Sequence, residues 1–163
     1  MAEHSLVLTT AESCTAGLIA AYLADVPGAG KVLECAFVVY SPEAKQKRLG
    51  VKASTMERFN LTSEEVAREM ATGAMRNSDA NLAISNTGVT DATDPRIEAG
   101  TQCFAWCFAS RGKLPEMLFS ETKKFDGDRN AIRDRAALYA LSKIPALHAR
   151  IIQPPAPQGQ VGP

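Results

Sequence analysis

The stretch from Ser5 to Leu23 constrains the fold more than any other. Ser5-Leu6-Val7-Leu8-Thr9-Thr10 reads as a short strand. It runs directly into Ala11-Glu12-Ser13-Cys14-Thr15-Ala16-Gly17, after which Leu18, Ile19, Tyr22 and Leu23 repeat at helical spacing. That helix must stop near Asp25, because Val26-Pro27-Gly28-Ala29-Gly30 is a turn. Leu33 to Tyr40 is then a nearly continuous apolar run, the pattern of a buried central strand. Ser41-Pro42 opens a short helix through Leu49, with Pro42 suited to its first turn.

Further along, Thr62 to Glu65 fits a T-x-x-E capping box, which predicts a helix from Ser63 to about Arg76 that buries Val66, Met70 and Ala74. Leu82–Asn86, Thr101–Ala109 and Glu116–Phe125 read as three more strands, the last two joined as an antiparallel hairpin around Arg111-Gly112-Lys113. Asp128 is the expected N-cap of a final helix carrying Ile132, Ala136, Tyr139 and Ala140 on one face. Strands and helices alternate early and a hairpin follows, so a mixed sheet covered by helices on both faces is the expected α/β architecture. A length of 163 residues with 45% hydrophobic content suits a single core. One domain over residues 1–150 is expected, and residues 151–163, rich in Pro, Gln and Gly, read as a flexible tail.

Lysine plus arginine and aspartate plus glutamate number 18 each, so no excess field draws nucleic acid or an anionic membrane. No apolar run approaches the ~18 residues a bilayer span needs, and Met1 to Leu8 lacks a basic start followed by a long apolar stretch. A cytoplasmic protein is expected. Cys14, Cys35, Cys103 and Cys107 form no CxxC pair and have no neighbouring histidines, so buried reduced thiols are favoured over a metal site.

The junction at Glu12-Ser13-Cys14-Thr15 is where chemistry could sit. Amides at a helix start are unpaired and carry the positive end of the helix dipole, so they can hold an oxyanion or a phosphate. Ser13 would be a nucleophile close to such donors, or simply the helix cap. A nucleophilic serine needs a base, and the only histidines, His4 and His148, lie beside the two ends of the fold. Lysine is the other common activator, provided burial or a neighbouring cation lowers its pKa from about 10.4. Tyr40 ends the second strand and Lys45 lies on the first turn of the next helix, so both can project from the same edge of the sheet as Ser13 if the two strands are neighbours. Lys47 and Arg48 are cations that could help to lower it, and the alternative is a solvated lysine on an exposed helix face.

These blocks together resemble the CinA C-terminal domain family. The likeness rests on Thr10-Ala11-Glu12-Ser13-Cys14-Thr15-Ala16-Gly17, on Phe37-Val38-Val39-Tyr40-Ser41-Pro42-Glu43-Ala44-Lys45, and on Leu49-Gly50-Val51. It continues through Ser63 to Met70, Asn86-Thr87-Gly88-Val89, Gly100-Thr101 and Gly127-Asp128-Arg129. The resemblance implies a three-layer α/β/α domain with a mixed five-stranded sheet. It also implies metal- and cofactor-free amidohydrolysis of nicotinamide mononucleotide to nicotinic acid mononucleotide and ammonia, a reaction of pyridine-nucleotide salvage. Ser13 is then the nucleophile, Lys45 the general base and Tyr40 a proton-relay or orienting hydroxyl. Cys14, Thr15, Gly17, Thr87, Gly88 and Arg129 are the expected substrate-binding residues. The expected partner is a small nucleotide, and a homo-oligomer is the preferred assembly.

Two departures stand out. The glycine- and proline-rich segment usual in the family after Gly88 is here Val89-Thr90-Asp91-Ala92-Thr93-Asp94-Pro95-Arg96, and Ala16 replaces a glycine. Asp91 and Asp94 place negative charge where an anionic nucleotide would approach. The alternatives are therefore a phosphate held elsewhere, by Arg129 at the start of the last helix, an amidase of a different substrate, or a catalytically silent homologue that binds a nucleotide or a protein. Cys14 as nucleophile is a lesser variant.

Overall fold

The computed structural model describes residues 1–92, 94–109 and 117–153. In chain order the elements are β1 (Leu8–Glu12), α1 (Leu18–Ala24), β2 (Leu33–Val38), α2 (Pro42–Leu49), α3 (Ala53–Phe59), α4 (Glu64–Arg76), β3 (Leu82–Gly88), β4 (Thr101–Phe108), β5 (Met117–Lys124), α5 (Arg129–Ser142) and α6 (Ile144–Ile152). The five strands form one sheet in the order β2-β1-β3-β4-β5. β1 pairs in parallel with β2 and β3, and the β3–β4 and β4–β5 pairs are antiparallel. This is the mixed five-stranded sheet and three-layer α/β/α arrangement that the sequence implied.

Side chains on a strand alternate between the faces, and β4 shows how this sets the two helical layers apart. Cys103, Ala105 and Cys107 face the layer of α2, α3 and α4, where they meet Val66, Ala67, Met70, Ala71 and Ala74. Small residues on both sides let α4 lie close to the sheet, and Gly73 lies against the Leu49 backbone, where a Cβ would collide. On the opposite face Phe104, Trp106 and Phe108 meet Ala136, Ala137 and Ala140 of α5 and Ile144 and Leu147 of α6. Trp106 is 1% exposed and its indole N–H donates to the Ala140 carbonyl at 2.9 Å, so the large ring is buried without leaving a polar atom unpaired. Truncating such a residue to alanine costs about 3–5 kcal/mol.

Several elements differ from the sequence reading. The run from Leu33 to Tyr40 forms an edge strand, not a central one: β2 has a single neighbour, and its residues alternate between half-buried and exposed. Apolar content alone does not separate a strand packed on both faces from an edge strand packed on one. β1 starts at Leu8, because Ala2–His4 forms a single 3-10 turn and Ser5 takes a left-handed conformation after it. The cap of α4 is Ser63, not Thr62: extended at φ −148°, it accepts from the Val66 amide at 3.3 Å. Its hydroxyl also donates to Asn60 O at 2.9 Å, while Glu65 turns to Arg68 at 3.9 Å and does not reach back to close a capping box. α3 was not expected. Asp128 does cap α5, accepting from Ala131 N at 2.9 Å. At Lys143 the helix breaks and α6 starts with Pro145 in its first turn, where the missing N–H cannot continue α5. α6 runs to Ile152. The expected hairpin turn at Arg111–Lys113, Glu116, and the expected tail from residue 154 onward lie outside the described residues.

Among the described residues no helix is long and apolar enough to cross a membrane.

Candidate active site

The chain leaves β1 at Glu12, between its two parallel neighbours, and turns through Ser13–Gly17 before α1 begins. That turn is held from two sides. Asn86 of β3 accepts from Ser13 N through its carbonyl at 3.0 Å and from Thr15 N through its side chain at 3.1 Å. Arg133 of α5 donates to the carbonyls of Cys14 and Thr15 at 3.0 and 3.2 Å. The turn ends with two successive left-handed residues, Ala16 at φ 50° and Gly17 at φ 99°. Alanine is strained there by about 1 kcal/mol, whereas glycine is not.

The helix start was expected to be open to a ligand's anion, and it is not. The buried Glu12 carboxylate caps α1 from inside the chain: Oε2 accepts from Gly17 N at 2.8 Å and Ile19 N at 3.1 Å, and Oε1 from Ala20 N at 3.0 Å. Thr10 Oγ1 adds a fourth bond at 2.9 Å. An internal carboxylate thus occupies the positive end of the helix, and Ser13 is relieved of the capping role.

Ser13, 8% exposed, instead points its hydroxyl at Lys45. Lys45 is 1% exposed, one of the largest fully buried side chains. It is set in place by α2, which opens with Ser41 accepting from Ala44 N at 3.1 Å and Pro42 in the first turn. Nζ lies 2.9 Å from Ser13 Oγ, 3.0 Å from Val39 O and 3.0 Å from Tyr40 O. No carboxylate among the described residues forms an ion pair with it. Burial therefore lowers its pKa, to about 8. Lys47 and Arg48, expected to assist, are exposed and do not enter; desolvation alone accounts for the shift.

This arrangement accommodates both protonation states of the amine. As an ammonium, Nζ donates to all three neighbours. As a neutral amine it keeps two N–H groups on the carbonyls of Val39 and Tyr40, and its lone pair faces the Ser13 hydroxyl, ready to accept that proton.

Beside the pair is a cavity of about 160 Å³ lined by Cys14, Tyr40, Gly88, Val89, Thr90, Asp91 and Arg129. Tyr40 is 59% exposed; its carbonyl touches Lys45, while its hydroxyl accepts from Arg129 at 3.3 Å at the mouth. Arg129 also donates to Thr90 Oγ1 at 2.8 Å and Asp91 Oδ2 at 2.7 Å. Burial pushes the Cys14 thiol up, and its sulfur accepts from Gln102 Nε2 at 3.3 Å. The same amide donates to Val89 O at 3.0 Å, and Gln102 Oε1 accepts from Asn86 Nδ2 at 3.0 Å. Gly88 is what admits this bridge, since a Cβ there would run into the Gln102 side chain.

Of the residues expected to bind substrate, Cys14, Gly88 and Arg129 line the cavity. Thr15 and Gly17 shape the turn behind it, and the Thr15 hydroxyl is buried with no partner. Thr87 faces away, its hydroxyl donating to Leu61 O at 2.8 Å. Asp94 also lies outside the lining: Arg96 grips its carboxylate at 3.0 and 2.8 Å, Asn60 adds a bond at 3.0 Å, and these hold it well below the usual carboxylate range. His4 and His148 lie with ring centroids 4.8 Å apart, and His4 precedes β1 whereas Ser13 follows it, so the strand separates them from the site. Ser13 and Lys45 themselves lie behind the cavity's lining, next in sequence or hydrogen-bonded to its Cys14 and Tyr40, and the larger clefts, one near Thr62, Arg68 and Thr122, include neither these two nor Cys14 and Tyr40. No group of three or more His, Cys, Asp or Glu that could hold a metal ion occurs among the described residues.

Sequence reasoning passed over Glu12, Asn86, Gln102 and Arg133. The signal available for Asn86 and Gln102 was a long polar side chain inside an otherwise apolar strand, which is costly to bury unless it is bonded.

The fold and site define a class: an α/β/α domain with a buried serine–lysine pair at the carboxyl ends of its parallel strands. Comparison with known proteins narrows it. The CinA C-terminal domain matches residues 1–147, and the chain belongs to that family. It is 40% identical over 141 residues to a CinA-like protein of Kosmotoga olearia, covering 85% of this chain and 33% of the relative. To a CinA-like protein of Chlorobium phaeobacteroides it is 41% identical over 131 residues, covering 78% and 30%. The chain thus spans about a third of the length of these relatives. Among solved structures, a CinA superfamily protein from Escherichia coli superposes with a TM-score of 0.81 at 34% identity, covering 89% of this chain and 82% of that one. A competence damage-inducible protein A from Klebsiella pneumoniae gives 0.83 at 30%, covering 90% and 89%.

Proposed function

We propose that the protein is a metal-independent serine amidohydrolase that deamidates nicotinamide mononucleotide to nicotinic acid mononucleotide and ammonia. The observation that carries this reading is the 2.9 Å contact between Ser13 Oγ and a buried Lys45 Nζ whose pKa is lowered to about 8. Neutral Lys45 takes the Ser13 proton as Oγ attacks the carboxamide carbon. The resulting ammonium returns that proton to the amide nitrogen as the C–N bond breaks. Ammonia leaves, and an acyl ester remains on Ser13. Water, deprotonated by Lys45, then cleaves the ester and regenerates the hydroxyl.

Because Glu12 fills the start of α1, the developing oxyanion needs another donor. The Cys14 N–H, next in the chain after the nucleophile, has no acceptor among the described residues and serves that role. Tyr40 and Arg129 act at the mouth, the hydroxyl orienting the substrate and the guanidinium facing its phosphate. The test is ammonia release from nicotinamide mononucleotide by the purified protein. Release is expected from the wild type and not from Ser13→Ala or Lys45→Met; equal rates in wild type and Ser13→Ala would overturn the reading.

A further inference from the structure

Arg129 donates to three side chains around the cavity. One terminal nitrogen is shared between Thr90 Oγ1 at 2.8 Å and Asp91 Oδ2 at 2.7 Å, and the other reaches the Tyr40 hydroxyl at 3.3 Å. The Asp91 oxygen is in turn held by the Thr90 hydroxyl at 2.8 Å. Asp91 is the single carboxylate among the residues lining the cavity, since Asp94 lies outside that lining and is bound to Arg96 and Asn60. The second cation near the turn, Arg133, is occupied by the carbonyls of Cys14 and Thr15.

We propose that Asp91 is a specificity-determining residue whose carboxylate occupies, on Arg129, the place that an incoming substrate's phosphate would take. The inference rests on the reading of this cleft as the amidase site and sharpens the substrate class it admits. The Asp91 and Arg129 side chains are 61% and 55% exposed, so their ion pair is screened and weak enough for a phosphate dianion to displace. Displacement does not remove the aspartate, which remains tethered at the rim and repels the dianion that replaced it. A neutral end such as a free ribose hydroxyl meets no such opposition. The pair therefore narrows the preference for phosphorylated over unphosphorylated nicotinamide ribosides, and the narrowing is written in one side chain.

Calorimetric binding of nicotinamide mononucleotide and of nicotinamide riboside reads this directly when Ser13→Ala is used as the background to prevent turnover. Adding Asp91→Asn is expected to tighten mononucleotide binding about tenfold and to move riboside binding less than about twofold. Adding Arg129→Gln to that protein should abolish the gain. Inorganic phosphate titrated into wild type and Asp91→Asn should show the same order. The proposal is overturned if Asp91→Asn leaves mononucleotide and phosphate affinities unchanged, if the riboside gains equally, if the gain survives Arg129→Gln, or if phosphate and the mononucleotide bind none of these proteins. The amidase reading fails on a separate measurement, ammonia release, so the two can be lost independently.

Discussion

The buried Ser13–Lys45 pair, behind Cys14 and Tyr40, and the Arg129–Asp91 pair in the wall of the small cavity that those two residues also line are built in opposite ways. The first is buried, and every polar atom around the amine is a hydroxyl or a main-chain carbonyl fixed by β1, β2 and α2. The second joins two side chains more than half exposed, one from the loop after β3 and one from the first turn of α5. Burial lowers the pKa of the inner pair's lysine, which is what the proposed general base needs. Exposure makes the outer pair exchangeable. Inner substitutions should therefore act on kcat and stability together, and outer ones on KM with little change in Tm.

The largest expected effect breaks the inner pair. Ser13→Ala and Lys45→Met should each lower kcat at least about a thousandfold in the ammonia assay. The pH profile sharpens the same point: kcat/KM for wild type should rise with pH and level off above about 8, because the proposed mechanism works through the neutral amine. A flat profile from pH 6 to 9 would argue against the lysine as base. Stability carries the same signature. A lysine at about 8 in the fold and near 10.5 when unfolded binds fewer protons folded than unfolded between those values, so stability rises with pH across that window. Denaturant titrations of wild type against Lys45→Met should show wild type gaining about 3 kcal/mol relative to the variant between pH 7 and 10.5.

Glu12→Ala ranks next. It removes the acceptor of the Gly17, Ile19 and Ala20 amides and should lower stability by about 3–5 kcal/mol, visible as a reduced denaturation midpoint. Gly88→Ala should cost about 3 kcal/mol, as the added Cβ collides with both the Gln102 side chain and the Thr101 main-chain carbonyl, and kcat should fall with it, because the Gln102 amide also bonds the Cys14 sulfur. At the outer rim, Tyr40→Phe removes only the hydroxyl that meets Arg129 and should raise KM about two- to threefold while Tm stays within a degree or so. A larger loss in kcat than in KM there would move Tyr40 from the mouth into the proton path.

How much of this was legible in the sequence follows the same division. Ser13 and Lys45 could be found because each sits at the boundary of a local element, a strand end and a first helical turn, that periodicity and Pro42 mark clearly. Their approach to 2.9 Å could not, since it depends on β2 lying beside β1. The apolar run from Leu33 to Tyr40 was legible as a strand but not as an edge, for hydrophobicity reports packing without saying on how many sides. Glu12 was invisible in its capping role. A carboxylate five residues before the first capped amide, separated from it by a left-handed turn, fits no capping pattern of fixed spacing. In the β3–β4 ladder Asn86 lies opposite Phe104 and Gln102 opposite Gly88, so the two amides meet on the diagonal, a contact that exists only once the register is set.

The lysine is addressed by the main chain. Two of its three contacts are carbonyls of residues 39 and 40, and a carbonyl is supplied by whatever amino acid stands there. The side chains of that segment can thus be exchanged for others that keep the strand path, and the amine still finds its two acceptors. The amine's position is anchored to the trace of the backbone, which leaves the side chains around the neighbouring cavity open to variation.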